Sequence, residues 1–305
     1  MKKVFAAILM LTAIFIFSRD WNYERSEKMM GTVVTLKASG VFARAAVDES
    51  FAEISRLVSL VKADVENLNA AAGTGEFVKI SPEVFEMLKL SQRYSELTGG
   101  AFDVTVGAAV DLWRNARRNQ VLPSPEEIAA VRNLVGFKHL QLNEAEQSAR
   151  LDLTGVKVNL GGVGKGYGVD LARKIFSRYG ITDGLINFGT SSIFAFGRKR
   201  IGIRNPRDGT EIYKVIELSD SALSTSGDYE QFFIVDGKRY HHIIDPKTCA
   251  PSDNGIASVT VTLEGTLENS GAVADILSTS ILILGTEHVI QDLPAEVIII
   301  PSNES

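Results

Sequence analysis

The sequence predicts an α+β fold, and three observations predict it. Helical and strand-like hydrophobic patterns are mixed without regular βαβ alternation, the stretch from Leu185 to Val261 reads as strands and turns, and a glycine cluster joins a short strand to a helix. Of 305 residues, 45% are hydrophobic and 23% charged, which supplies a core and excludes a disordered or collagen-like chain. There is no internal repeat or low-complexity segment.

A polar spacer, Asp20 to Lys28, precedes a strand predicted over Met30 to Leu36, with Val33, Val34 and Leu36 as its apolar positions. Ala43 to Leu60 follows as a helix, because Val47, Phe51, Ile54, Leu57 and Val58 recur at helical spacing. A second helix begins at Ser81-Pro82-Glu83, with serine as cap and proline in the first turn, and stops near Thr98-Gly99-Gly100. Pro125 to Leu134 is a short helix capped by Ser124. Short β segments are expected at His139–Leu142, Leu151–Leu153 and Lys157–Leu160, and the glycine cluster then leads into a helix over Val169 to Tyr179. Val235-Asp236-Gly237-Lys238 reads as a hairpin, Ala272 to Leu284 as the last strong helix and Glu296 to Ile300 as the closing strand.

At the N-terminus, Lys2 and Lys3 precede the uncharged run Val4 to Phe17, the layout of a bacterial export signal. Fourteen residues at about 1.5 Å each cover about 20 Å, short of the roughly 30 Å hydrocarbon core. The cleavage site is poor, since Ile16 stands two residues before Ser18, so an uncleaved anchor in the inner membrane stands beside a periplasmic product as the alternative. Residues 1–18 are read as signal or anchor, 19–28 as spacer and 29–305 as one folded domain.

Thirty-two bases against 37 acids give a net charge of -5, and without Lys2 and Lys3 the balance is 30 against 37, or -7, which excludes nucleic acid as a general partner. The lone Cys249 excludes an intramolecular disulfide and any multi-cysteine metal site.

Three constellations could carry chemistry. Gly161 to Gly168 could let backbone amides approach a phosphate at a helix N-terminus. It matches neither a P-loop, which needs glycine at Asn159 and Ser or Thr after Lys165, nor the dinucleotide spacing, so a plain strand-to-helix turn is the competing reading. Asp275 and Thr279 stand four apart on one face of an apolar helix, where two oxygens suit a hard cation such as Mg²⁺; the alternative is a back-bonded threonine and a dipole-stabilised aspartate. Asp228, His241, His242 and Asp245 lie close along the strand-rich half, and adjacent strand histidines face opposite ways, so one of the two can serve a site as a base or phosphate contact. His139, His288 and the Arg114, Arg117, Arg118 run read as structural or solvated.

Taken in order, six segments resemble the ApbE family of FAD:protein FMN transferases. They are Met30-Gly31-Thr32; Gly99 to Gly107 with Leu112-Trp113; Asn159 to Tyr167 with Asp170; Thr225 to Tyr229; His242 to Thr248; and Ala274 to Thr279. The resemblance implies a two-lobed fold of mixed, largely antiparallel sheets and packed helices, with FAD bound between the lobes and Mg²⁺ on the pyrophosphate. It implies metal ligands Asp275, Thr279 and a main-chain carbonyl, that of Gly164, where the family usually has alanine. Met30, Phe102, Asp103, Lys165 and Asp170 would shape the flavin and phosphate pocket, with Thr225, Ser226, Gly227, Asp228 and His242 opposite. The reaction implied is attack of an acceptor threonine or serine hydroxyl on the flavin-side phosphorus of FAD, with AMP leaving. His242 is the candidate base, Asp228 or Asp245 its orienting partner, and Lys165 the neutraliser of phosphate charge. The acceptor would be a subunit of a membrane redox complex. An FAD pyrophosphatase and a non-catalytic periplasmic FAD-binding protein are the alternatives. Two departures stand out. Asn187-Phe188-Gly189-Thr190-Ser191 lacks one glycine and the acid or amide of the family's element, and Cys249 replaces a usual glycine, which is strained if that position needs a positive φ.

Overall fold

The computed structural model describes residues 21–189, 191–288 and 293–302. The predicted signal or anchor and Thr190 lie outside them.

The expected spacer is in fact a strand. β1 (Asn22–Met29) pairs antiparallel with β2 (Thr32–Ser39) through the two-residue turn Met30-Gly31, whose φ values of 53° and 72° give the primed geometry that suits twisted strands. Its polar composition hid it, because an edge strand carries charges on both faces: Arg25 and Glu27 point inward, half-buried. The predicted strand over Met30–Leu36 therefore begins two residues later.

α1 (Ala43–Ala70) runs ten residues past its predicted end, with Leu68 buried in the extension. Asn69 then holds Val158 in both directions, donating to its carbonyl at 3.3 Å and accepting from its amide at 2.7 Å. β3 (Val78–Lys79) leads to α2 (Pro82–Leu97), whose N-cap Ser81 donates its amide and hydroxyl to Asp64 of α1 instead of capping its own helix. α3 (Gly107–Asn119) was not anticipated. α4 (Pro125–Arg132) carries the expected Ser124 cap as a capping box with Glu127. β4 (Leu140–Asn143) and β5 (Ser148–Leu151) complete a small sheet in the order β3-β5-β4. Lys157–Leu160 is not a strand; Lys157 makes one parallel bridge to Val106 where Gly107 crosses its carbonyl, and an added Cβ on Gly107 would lie 2.5 Å from that oxygen.

α5 (Gly164–Arg178) starts inside the glycine cluster, five residues before the predicted helix. The main sheet is fully antiparallel, in the order β1-β2-β6-β7-β8-β13-β14, with β6 (Gly184–Phe188), β7 (Ser192–Arg204), β8 (Ile212–Gly227), β13 (Ile256–Glu264) and β14 (Ala295–Pro301). α6 (Ser270–Leu284), apolar nearly all round, is buried between this sheet and the core under α2. α1 and α5 cover the β2 and β6 side of the sheet through a second core of Leu36, Phe51, Phe176 and Phe188.

A bend where Gly197 (φ 65°) donates its amide to Asp220 (φ 46°) at 2.9 Å turns the outer halves of β7 and β8 back over the other sheet face. There Ile203 and Leu218 meet Ile193, Leu223 and Ile300. A smaller cluster joins Trp113 of α3 to Phe233 and Tyr240 of the hairpin β9 (Phe232–Val235) and β10 (Lys238–His241), which turns at Asp236 and Gly237 as predicted. These are the α+β class and largely antiparallel sheets the sequence implied.

β11 (Ile244–Asp245) and β12 (Ala250–Pro251) are joined by a turn in which Cys249 is buried at φ 54° and donates its amide to Asp245. Its carbonyl accepts from the Trp113 indole at 2.8 Å. The position does require the left-handed region, so a Cβ there costs about 1 kcal/mol, while the buried thiol recovers a similar amount by packing. Cys249→Ala keeps the strain and loses the sulfur; Cys249→Gly loses both. Glycine is expected to be the more stable of the two variants by about 1 kcal/mol, read as a difference in urea midpoints. An alanine variant equal to or better than glycine would show that the turn bears no strain.

Candidate functional site

α5 and α6 meet at two glycines. A Cβ on Gly166 would lie 2.2 Å from the Gly271 carbonyl oxygen, so the helices touch backbone to backbone. Asp170, buried on α5, accepts from the Gly271 and Ala272 amides at 3.0 and 2.8 Å, satisfying orphan donors of the α6 N-terminus. Burial pushes its carboxyl pKa up, and those amides oppose the shift. The resemblance placed Asp170 in the flavin pocket; its carboxylate is instead committed to seating α6.

The exchange is reciprocal. From α6, buried Asp275 accepts the Gly166 amide, an orphan donor in the first turn of α5, at 3.0 Å. Its other oxygen accepts from Ser224 at 3.0 Å. Two residues on, the Ser226 hydroxyl lies 2.9 Å from that of Ser278 and 3.1 Å from that of Thr279. Strand alternation then turns Thr225 to the opposite face of the sheet, where its hydroxyl meets that of Thr260 at 2.8 Å. Thr225 therefore does not share a wall with Ser226. Its amide donates to Ser191, fastening the turn that replaces the family's glycine-rich element.

The glycine turn closes over this oxygen cluster. A Cβ on Gly162 would stand 3.0 Å from the Phe102 ring and 3.7 Å from Thr279 Oγ1, and one on Gly164 would stand 3.5 Å from the Met30 methyl. Met30, Phe102, Gly162, Gly164 and Thr279 thus share one locality. Asp103 is beside it but turned away: its Oδ1 accepts from the amide and hydroxyl of Thr105, both at 2.7 Å, and burial raises its pKa. Gly227 must stay bare because the Tyr229 ring would lie 2.3 Å from a Cβ.

These contacts yield a sharp contrast. Gly164→Ala places a methyl in ordinary contact with Met30 at the start of a helix and is expected to keep activity and gain up to about 1 kcal/mol. Gly166→Ala forces the two helices apart and is expected to lose about 1–3 kcal/mol or more. Thermal melts and activity measurements of the two variants check both, and a destabilised Gly164→Ala would refute the geometry.

Of the two histidines, His241 faces inward. Its Nε2 donates to the Ser252 carbonyl at 2.7 Å and its Nδ1 accepts from the Ile243 amide at 3.2 Å, so it is a neutral structural residue with its pKa lowered by burial. His242, in the bend just past the end of β10, is exposed. Protein crowds it closely enough that desolvation, then His241, Lys165 and Arg117, hold its pKa down to about 4, against a backbone hydrogen bond to Gln231. Lys165, set between Gly164 and Gly166, makes no ion pair among the described residues, and its charge acts on His242. Lys165 therefore links the glycine turn to the histidine.

Neither expected orienting carboxylate serves His242. Asp228 is buried and held by Arg207 through two hydrogen bonds of 2.8 and 2.9 Å, and Asp245 accepts the Lys247 amide within its own turn. Arg117, read from sequence as solvated, is the residue that was missed: it donates to the Gln231 side chain at 3.2 Å, and its charge reaches His242. Its place follows from the packing of α3 on the β9–β10 hairpin, which no local pattern predicts.

Among the described residues no cluster of three or more His, Cys, Asp or Glu could hold a metal. One carboxylate, a threonine hydroxyl and main-chain carbonyls remain, a hard-oxygen set that fits Mg²⁺ sharing its shell with substrate phosphate. Each carboxylate oxygen of Asp275 accepts one hydrogen bond and keeps a further lone pair. Asp275 and Thr279 fit the expected group.

A family model described as the ApbE family matches residues 30–298. The chain is 33% identical over 252 residues to an FAD:protein FMN transferase of Vibrio cholerae, spanning 79% of this chain and 73% of that protein. It is 31% identical over 274 residues to one of Klebsiella pneumoniae, spanning 87% and 83%. Among solved structures, the ApbE protein of Thermotoga maritima superposes with a TM-score of 0.82 at 30% identity, covering 93% of this chain and 96% of that one. The flavin transferase ApbE of Vibrio cholerae gives 0.79 at 30% identity, covering 92% and 93%.

Proposed function

The chain belongs to the ApbE family of FAD:protein FMN transferases, and we propose that it transfers FMN from FAD to a threonine or serine hydroxyl of an acceptor protein with the help of Mg²⁺. The observation that carries this reading is the convergence at the start of α5. There the glycine turn, the Asp275 carboxylate and the Thr279 and Ser226 hydroxyls come together, and the charge of Lys165, on the same turn, reaches His242.

In this reading FAD lies with its pyrophosphate over the glycine turn. When bound, Mg²⁺ held by Asp275, Thr279 and the Gly164 carbonyl supplies charge neutralisation at the phosphates. Lys165 adds a second positive charge at the same place, which a chain of net charge -7 without its two leading lysines must provide locally. His242, kept neutral by its surroundings, accepts the proton of the acceptor hydroxyl. The hydroxyl oxygen forms the new bond to the flavin-side phosphorus, the bond to the AMP oxygen breaks, and AMP leaves with that electron pair. Gln231 and Arg117 position His242 from the hairpin and α3.

We place the protein outside the cytoplasm, carried by the run Val4–Phe17, with a redox subunit at the membrane as acceptor. Incubation with FAD, Mg²⁺ and acceptor subunits from the same organism, followed by mass spectrometry, tests the transfer. An FMN-sized adduct on threonine or serine supports it. Release of AMP without an adduct points to hydrolysis, and FAD binding without turnover refutes an enzymatic role.

A further inference from the structure

The sheet end opposite the glycine turn carries an exposed apolar patch. Trp21 is 53% exposed, Val41 50% and Phe42 57%, and they are neighbours because the Trp21 carbonyl accepts the Gly40 amide at 2.8 Å where β1 begins and β2 has ended. Isolated surface hydrophobics need no explanation, but three large ones grouped at a chain entry point do. Trp21 stands four residues after Phe17, the last residue of the apolar run, so at most about 14 Å of chain separates them. The run is too short to cross a bilayer comfortably and therefore anchors weakly on its own.

We propose that the run is retained in the phospholipid bilayer and that Trp21, Val41 and Phe42 dock against the same leaflet, completing the anchor. This rests on the extracytoplasmic placement given above and adds the surface and the orientation. Tryptophan and phenylalanine suit the boundary between acyl chains and headgroups, and membrane affinity scales with the apolar area buried there. The basic side chains beside the patch, Arg44 and Lys199, are paired with Asp48 and Asp183, so apolar contact carries the docking.

The orientation follows from β1. Its eight residues make nine steps from Trp21 to Met30, which at about 3.4 Å each separate the two by about 31 Å. Met30 adjoins Gly164, so the reaction centre stands about that far above the headgroups, and the acceptor must present its hydroxyl at that height.

The full-length protein in vesicles of phosphatidylethanolamine and phosphatidylglycerol with brominated acyl chains tests this. Trp113 is buried against Phe233 and Tyr240, so iodide in water reports on Trp21 without any substitution. Docking predicts co-flotation with the vesicles, loss of most iodide quenching and gain of quenching by bromolipid. The Val41→Ser/Phe42→Ser pair is expected to restore iodide quenching while FMN transfer to a soluble acceptor stays unchanged. Flotation with Trp21 still fully open to iodide overturns the docking and leaves the anchor standing. Failure to float, or a mature chain cut after Ser18, overturns both. FMN transfer in solution is measured separately, so the loss of either result leaves the other readable.

Discussion

Asp275→Asn is expected to lower FMN transfer by on the order of 10³-fold while the protein still folds. The asparagine keeps the side-chain volume and an oxygen that can accept from Ser224 or from the Gly166 amide, the two contacts that bind α6 to β8 and to α5. It removes the negative charge that holds the cation, and several kcal/mol of electrostatic stabilisation at about 1.4 kcal/mol per decade gives that factor. Asp275→Ala differs in kind: it leaves the buried Gly166 amide unpaired, while Ser224 keeps Ser192 at 3.3 Å, so it is expected to lose about 1–3 kcal/mol as well as activity. Rates measured against Mg²⁺ concentration, together with urea midpoints, separate the two effects. An asparagine variant with full activity at low Mg²⁺ would remove Asp275 from the metal site, whereas an inactive but stable one supports the assignment.

That distinction explains why sequence located the site better than it assigned its carboxylates. Four of the five aspartates in the recognised segments, Asp103, Asp170, Asp228 and Asp275, are buried, and composition offers no way to rank them. Asp103 closes its own turn, Asp170 seats α6 and Asp228 is taken by Arg207, which reaches it because β7 and β8 fold back at Gly197 and Asp220. No local pattern predicts that fold-back. The α5 boundary was misplaced for a related reason. Glycine is a poor helix former, and Gly166 and Gly168 are helical because bare backbone is needed against Gly271 and Phe188, a tertiary demand that overrides propensity. That Asp275 and Thr279 share one face, both meeting β8, was legible by contrast from a single helix's periodicity, whereas alternation does not reach His242, which lies in a bend past the end of β10. Signals confined to one element survived; those set by how elements meet did not.

The same locality makes the acid limb of the rate profile diagnostic. Desolvation lowers the His242 pKa first, and the charges of Lys165 and Arg117 add to it, so the ring is neutral and able to accept a proton at physiological pH. Replacing it with glutamine is expected to reduce FMN transfer by about 10²–10⁴-fold, the usual contribution of a positioned base, and to flatten the acid limb. Lys165→Met is expected to act twice. It removes a charge from the pyrophosphate, lowering the rate, and it removes a repulsion from His242, raising that pKa. A base with a raised pKa stays protonated to higher pH, so the acid limb of Lys165→Met must move toward neutrality, and that of Arg117→Met must do the same with a smaller loss of rate. The magnitudes alone would not separate a base from a phosphate contact, because both lose activity on substitution. The direction of the shift does: if His242 contacted phosphate as an imidazolium, raising its pKa would extend activity toward higher pH and leave the acid limb in place. Rates of FMN adduct formation between about pH 3 and 8 for the unmodified protein and the three variants decide between them.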